Sequence, residues 1–435
     1  MSLDAKQSEA RTVTSVGDLL AYFRDAEKGS GKRLIGLEHE KLIYPAGGSA
    51  PVPYEGGIGK VLEGFAQFGW KEFREAPGLP VIAMTRGSAA LSLEPGGQFE
   101  LSGSPVETAR AAHEENLQHL RELKAVLEPL GLRAVALGYR PFERVDQMPW
   151  MPKTRYRTMR QTLGARGGLA LDMMLMTATG QVSLDWADEA DCAEMMSLSA
   201  RVSPLLVALY ANSPLVRGEP SGFMSYRSHV WTDVDPKRCG YLPAMFDGSF
   251  SYRAYVEWAL DAPLLFLRRR GEYLGPKMTF RQLLSDGFEG KPALYDDWVD
   301  HLSTLFPEVR IKRVMEIRSA DGCNAPMTAA LSALMRGLLY DRTARDELGR
   351  LLPARTLAQH QEIHARAQRE GLPAFSAQAR EVIGIARRGL ERLPGDDAPL
   401  LDVLEERAVS GWSPAHDVLA APREPARLFD AFPPV

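Results

Sequence analysis

The chain has 435 residues, 45% hydrophobic and 25% charged, which supplies a sizeable core and argues against bulk disorder. Its 52 basic and 56 acidic residues leave a formal charge of −4, so no basic face for a nucleic-acid partner is expected. The three cysteines, Cys192, Cys239 and Cys323, form no CxxC pair and no disulfide framework. Met1 to Thr12 is polar without an apolar h-region, and no apolar run approaches the roughly 18 residues of a membrane span. The expectation is a reducing, cytoplasmic location without a membrane partner; a monomer or a homodimer both satisfy the sequence.

Val16 to Arg24 has helical spacing, with Ser15 and Asp18 resembling a capping box. Leu34 to Tyr44 reads as a strand and carries Gly36-Leu37-Glu38-His39-Glu40-Lys41. Residues two apart in a strand share a face, so Glu38 and Glu40 point together. Gly56 to Phe68 looks helical, and Thr85 to Leu101 reads as two strands joined around Pro95-Gly96-Gly97. That second segment aims Gln98 and Glu100 together and adds Glu94. Crowded carboxylates repel unless a cation neutralises them, and hard oxygen ligands suit Mg²⁺. The same spacing also describes a polar strand face at a sheet edge.

Val106 to Leu130 is a long amphipathic helix with Gly131 at its C-cap, followed by a strand over Leu132 to Gly138 and a Pro- and Met-rich loop to Pro152. Met173 to Trp186 has strand composition, and Cys192 to Tyr210 is helical. Gly222 to Gly240 is irregular and dense in Arg, His, Trp and Asp, a composition common in functional loops. Tyr252 to Leu260 and Ala293 to Phe306 are predicted helices and Val309 to Arg318 a strand. From Met327 the chain turns helical, with Asp341 to Leu352, Thr356 to Glu370 and Ser376 to Arg392 periodic; the Pro-richer last forty or so residues are expected to wrap the surface. The fold class is α+β: a catalytic region over 1–330 with a helical region over 331–435 packed on the same unit.

Several motifs occur in one order: the two acidic segments just given, Met151-Pro152-Lys153-Thr154-Arg155-Tyr156, Asp172-Met173-Met174-Leu175, Arg227-Ser228-His229-Val230-Trp231 and Phe306-Pro307-Glu308-Val309-Arg310. Together they resemble the plant and proteobacterial type of glutamate–cysteine ligase, over roughly residues 15 to 350. The resemblance implies a glutamine synthetase-like antiparallel sheet forming a funnel around the active site. It implies Mg²⁺ as cofactor, ATP as co-substrate, and glutamate and an amine as small-molecule substrates. ATP phosphorylates the glutamate side-chain carboxylate, and the amine of cysteine then displaces phosphate. Phosphoryl transfer needs charge neutralisation and alignment more than covalent help.

On that resemblance Glu38, Glu40, Glu94, Gln98, Glu100 and Glu316 are the metal ligands. Arg155, Arg227 and Arg318 are the catalytic cations. Thr179, Trp231 and Leu265 join Arg155 and Arg227 in the substrate pocket, and Lys153 and Arg318 take the nucleotide. Read without the family, Arg155 also suits an exposed surface, Arg227 with Trp231 a structural stack, and Glu316 with Arg318 a cross-strand pair. Departures from the family pattern cluster at Met176, Ala178, Gly180, Leu265, Ser319 and Cys323. Several sit at presumed acceptor positions, so an altered amine or peptide acceptor is an alternative, and an inactive ligand-binding homologue a further one.

Overall fold

Ile35–Pro45 forms β1, the strand on which the main sheet is assembled; the computed structural model describes residues 11–435. The expectation for Met1 to Thr12 falls almost wholly outside the described residues. The other strands are β2 (Lys71–Phe73), β3 (Ala83–Arg86), β4 (Ala89–Leu93), β5 (Phe99–Ser102), β6 (Leu132–Val135), β7 (Thr179–Leu184), β8 (Val309–Ile311) and β9 (Met315–Asp321). Their order is β8-β9-β7-β1-β5-β4-β3-β2, with β6 paired to the second half of β1, and all neighbours run antiparallel.

Register decides what faces what. Glu38 lies opposite Gln181, Glu40 opposite Glu100, Ser92 opposite Glu100 and Arg310 opposite Glu316. Strand alternation therefore collects these polar side chains on one face. The other face of β1 is polar too, and fully buried. His39 sits between the Asn116 side-chain oxygen at 3.1 Å and the Cys323 carbonyl at 2.8 Å. The Lys41 ammonium donates to the His39 carbonyl at 2.6 Å and lies 3.1 Å from His119 Nε2. Burial pushes Lys41 down to about 7.

The helices that position the site are α1 (Val16–Arg24), α2 (Ala109–Leu127), α3 (Thr154–Leu163), α4 (Ala170–Met176), α5 (Glu189–Leu209), α6 (Tyr226–Val230), α7 (Ala325–Tyr340), α8 (Leu357–Glu370) and α9 (Ser376–Arg392). The capping box at α1 forms as its sequence demands. Helix α5 is long and apolar enough by composition to cross a bilayer, but 78% of that stretch is buried in the core with α7 and α9.

Several boundaries differ from expectation for identifiable reasons. Thr85 to Leu101 contributes to three strands, because the chain reverses at Gly87, where φ is +60°, as well as at the acidic turn. The expected strand from Met173 begins only at Thr179: the run Met173 to Met176 consists of helix formers without branching at Cβ and completes α4. Val309 to Arg318 folds back on itself as β8 and β9. The Pro-rich tail does not merely wrap the surface. Val418, Leu428 and Phe429 pack with Leu42 and Tyr44, and the Tyr44 and Phe429 rings stack at 4.2 Å.

Candidate active site

The polar sheet face forms the floor of a cleft. Its lining includes Glu38, Glu40, Glu94, Gln98, Glu100, Arg155, Thr179, Arg227, Trp231 and Arg318. Ten of the expected site residues thus meet in one cavity, from strands and helices far apart in sequence.

One wall is acidic. β1 and the β4–β5 hairpin carry Glu38, Glu40, Glu94 and Glu100. Glu100 accepts from the Ser102 hydroxyl at 2.5 Å and the Ser92 hydroxyl at 3.3 Å, while Glu40 accepts from the Thr179 N–H at 2.9 Å. Burial first, then the charges of Glu94 and Glu100, hold the Glu40 carboxyl well above its usual value. Glu94 is raised by burial and by Glu100. Such a cluster is an electrostatic demand for a cation.

The turn presenting Glu94 is clamped. Gly96 approaches α4 so closely that a Cβ there would lie 2.2 Å from the Leu175 carbonyl oxygen. The Gln98 carboxamide accepts from the Gly96 N–H at 3.0 Å and donates to the Thr177 and Met174 carbonyls at 2.8 and 3.3 Å. Gln98, expected as a metal ligand, therefore serves as the brace of this turn. Buried Arg140 adds a bond of 3.2 Å to the Gly96 carbonyl.

A basic wall completes the lining, made by Arg310 and Lys312 from the β8 side, Arg318 from β9, Arg227 from α6 and Arg155 from α3. Glu316 does not reach the cleft with the other carboxylates. It lies 2.5 Å from Arg310, 2.7 Å from Lys312 and 3.7 Å from Arg318. Its assignment to a metal is corrected on that ground: its charge is already matched by cations. The Arg318 guanidinium donates to Gln181 Oε1 at 2.8 Å and lies 5.7 Å from the centre of the Trp231 ring. Burial lowers it to about 10. Arg227 donates to the Arg318 carbonyl at 3.0 Å and stands 3.9 Å from Asp321. Asp321 is itself held by Ser213 and Ser225 hydroxyls at 2.6 and 2.7 Å.

Three residues of the lining carry buried donors without a hydrogen-bond partner: Arg227 Nε, Arg155 Nε and Trp231 Nε1. Unpaired buried donors are costly, so an anionic ligand fits among these residues. Among the described residues no three His, Cys, Asp or Glu side chains form a ready metal cage. An all-oxygen wall of this kind still fits Mg²⁺, which takes few carboxylates and completes its octahedron with phosphate and water.

Besides Glu316, two more expected residues stand away from the lining. Lys153 donates to the Leu93 carbonyl at 2.6 Å behind Glu94, and burial followed by the nearby Arg155 charge lowers it to about 7. Leu265 is fully buried in the apolar cluster, together with Met176. The Thr179 hydroxyl donates to the Ala320 carbonyl at 2.7 Å. Arg310, Lys312 and Gln181 were not singled out from sequence. The signal for the first two is present: Arg310 and Lys312 are two apart, as are Glu316 and Arg318 across the hairpin. None of the three thiols lines the cleft: Cys192 and Cys323 are buried in the core, and burial pushes Cys239 up to about 12.

Comparison with known proteins follows the same lines. The family model described as glutamate-cysteine ligase family 2 matches residues 34–428. A chloroplastic glutamate–cysteine ligase of Brassica juncea is 39% identical over 413 residues, covering 92% of this chain and 80% of the relative. Its counterpart in Arabidopsis thaliana is also 39% identical, covering 92% and 78%. A solved glutamate–cysteine ligase of Francisella tularensis, in complex with AMP, superimposes with a TM-score of 0.56 over 91% of this chain and 85% of that one. At 13% identity that likeness speaks to the fold, and it agrees with the glutamine synthetase-like α+β expectation. The expected cytoplasmic location is overturned by the relatives, which are named chloroplastic. Cysteine usage distinguishes oxidising from reducing surroundings, not one reducing compartment from another.

Proposed function

The chain belongs to glutamate-cysteine ligase family 2, and on that premise we propose that it is an ATP- and Mg²⁺-dependent ligase joining the side-chain carboxylate of glutamate to the amine of cysteine. The observation that carries this reading is that one cleft is lined together by four carboxylates, Glu38, Glu40, Glu94 and Glu100, and four guanidiniums, Arg155, Arg227, Arg310 and Arg318.

Glu38, Glu40, Glu94 and Glu100 would hold Mg²⁺, which when bound supplies Lewis-acid relief of charge at the phosphates. Arg318, with Arg310 and Lys312, neutralises the nucleotide's phosphate oxygens. Arg227 takes the amino acid's α-carboxylate, where a bidentate guanidinium matches the carboxylate's geometry. A glutamate side-chain oxygen bonds to the γ-phosphorus as the bond to the β-phosphate oxygen breaks, giving an acyl phosphate and ADP. The acceptor nitrogen then bonds to the acyl carbon as the carbon–oxygen bond to phosphate breaks, and the proton lost by the nitrogen leaves with the phosphate. The protein's contribution is alignment and fixed charge.

The sequence departures give no support to a different acceptor. Met176, Ala178, Gly180 and Leu265 are all buried and absent from the cleft wall. A Cβ on Gly180 would meet the Thr328 methyl on α7, away from the cleft. The test is direct: incubate protein, ATP, Mg²⁺, glutamate and cysteine, and quantify γ-glutamylcysteine against phosphate. One product per phosphate is expected. Phosphate release with glutamate but no product with cysteine would refute the acceptor.

A further inference from the structure

Register slips between β9 and β7 from Ile317 to Ala320, which leaves Arg318 and Ser319 in a bulge outside the ladder. Bulges re-aim side chains, and residues in them need other partners to stay fixed. Here one residue provides both. The Arg318 N–H donates to the Glu308 carbonyl at 3.2 Å, and the Ser319 hydroxyl donates to Glu308 Oε2 at 2.7 Å.

A second set of contacts holds Arg227. The next residue, Ser228, is buried, and its hydroxyl accepts from Gln368 Nε2 at 3.1 Å and meets His364 Nε2 at 3.0 Å. His364 and Gln368 both come from α8. On the other side of the ring, His364 Nδ1 lies 2.8 Å from the Tyr241 hydroxyl. Tyr241 is bonded to Ser203, whose hydroxyl donates to the Ser199 carbonyl at 2.9 Å. Donor bookkeeping then assigns one direction along the chain: Gln368 to Ser228, Ser228 to His364 Nε2, and His364 Nδ1–H to Tyr241. The imidazole is neutral in that arrangement, in keeping with burial lowering its pKa. The two sets meet through Arg227, which donates to the Arg318 carbonyl; Glu308 Oε1 lies 3.9 Å from His364 Nε2, a proximity without a hydrogen bond because both atoms are acceptors.

We infer that Glu308, Ser319 and His364 form one polar brace behind the basic wall, with Ser319 setting the aim of Arg318 and His364 that of Arg227. The inference rests on the substrate roles proposed above for those two arginines. None of the three lines the cleft, so they are positioning residues. Each branch serves a different substrate, and the branches are separable by kinetics.

Ser319→Ala is expected to raise the KM for ATP about 2- to 10-fold, the scale of one intramolecular hydrogen bond, with the KM for glutamate and kcat held within about twofold. His364→Phe is expected to raise the KM for glutamate by a similar factor and spare that for ATP. Glu308→Gln, at the junction, raises both. Ser319→Thr keeps a hydroxyl and His364→Gln supplies an amide oxygen that can accept from Ser228, and each keeps the wild-type KM. Thermal unfolding of every variant accompanies the kinetics. If His364→Phe fails to fold, the Ser319→Ala and Ser319→Thr pair still reads the crossed pattern. Equal changes in both KM values from Ser319→Ala, or a fall in kcat with neither KM moved, overturn the brace. Wild-type protein without ligase turnover instead removes the proposed function, and this inference with it.

Discussion

Replacing Glu316 by Gln tests the account of the basic wall. Arg310, Lys312 and Arg318 surround this one buried carboxylate, and the four charges sum to +2; with Gln they sum to +3. Removing one partner of a buried ion pair typically costs about 3–5 kcal/mol, because the remaining charge is left uncompensated. The variant should therefore unfold at lower urea concentration with an unchanged m-value. The pH dependence has a defined sign. Burial alone would raise the Glu316 pKa, but Arg310, Lys312 and Arg318 outweigh it and hold the carboxyl well below its usual value. A depressed carboxylate contributes stability above its unfolded pKa of about 4.3, and that contribution is lost as pH falls through the folded value. The gap between wild type and variant is then full at neutral pH and narrows in acid. Metal-free ATP, measured by its effect on the urea midpoint, should stabilise the variant more than the wild type, since a phosphate supplies the missing anion. Equal urea midpoints, or a gap that widens in acid, would show that the three cations do not depend on Glu316.

The acidic wall yields its own expectations. Glu38→Gln and Glu100→Gln should each lower turnover by about 10²- to 10³-fold with the circular dichroism spectrum unchanged, as expected for losing several kcal/mol of charge stabilisation; wild-type rates at limiting Mg²⁺ would contradict the assignment. Glu40→Gln should make the metal-free protein more heat-stable at neutral pH. A raised folded pKa gives stability that is present in acid and lost as pH rises through it, and Gln escapes that loss while still accepting the Thr179 N–H. The advantage should grow as pH rises above the unfolded carboxylate value of about 4.3 and disappear when Mg²⁺ is added; a constant difference in melting temperature would refute it. Gly96→Ala forces a methyl against the Leu175 carbonyl, and a loss of about 1–3 kcal/mol with weakened Mg²⁺ dependence is expected from urea titration and Mg²⁺-varied kinetics.

Much of the site was readable because strand alternation turns a sequence spacing into a geometry. Glu38 with Glu40 and Gln98 with Glu100 required only the assumption of a strand, and the structure puts all of them on the cleft wall. What side chains do once there was less accessible. Gln98 looked like a ligand, yet its donors and acceptor are taken by Gly96, Met174 and Thr177, partners set by how α4 docks. Glu316 shares a strand face with Arg318, but only the hairpin return that places Arg310 opposite it shows where its charge goes. Leu265 was placed in the pocket from its motif position, and tertiary packing takes it into the core. The helix–strand boundary inside Met173 to Trp186 escaped for a local reason. Met and Leu sustain a helix and also fill a strand, and the β-branched signal starts only at Thr177.

The two-sided polarity of β1 has an evolutionary corollary. In most half-buried strands an inserted or deleted residue puts hydrophobic groups into water, and the penalty falls on folding. Here a frame shift of one position would deliver an imidazole and an ammonium to the chamber and send two carboxylates toward His119 and Asn116. Length changes between Ile35 and Leu42 should therefore be purged by natural selection through lost chemistry and lost stability at once, while the loops at either end of the strand remain free to vary.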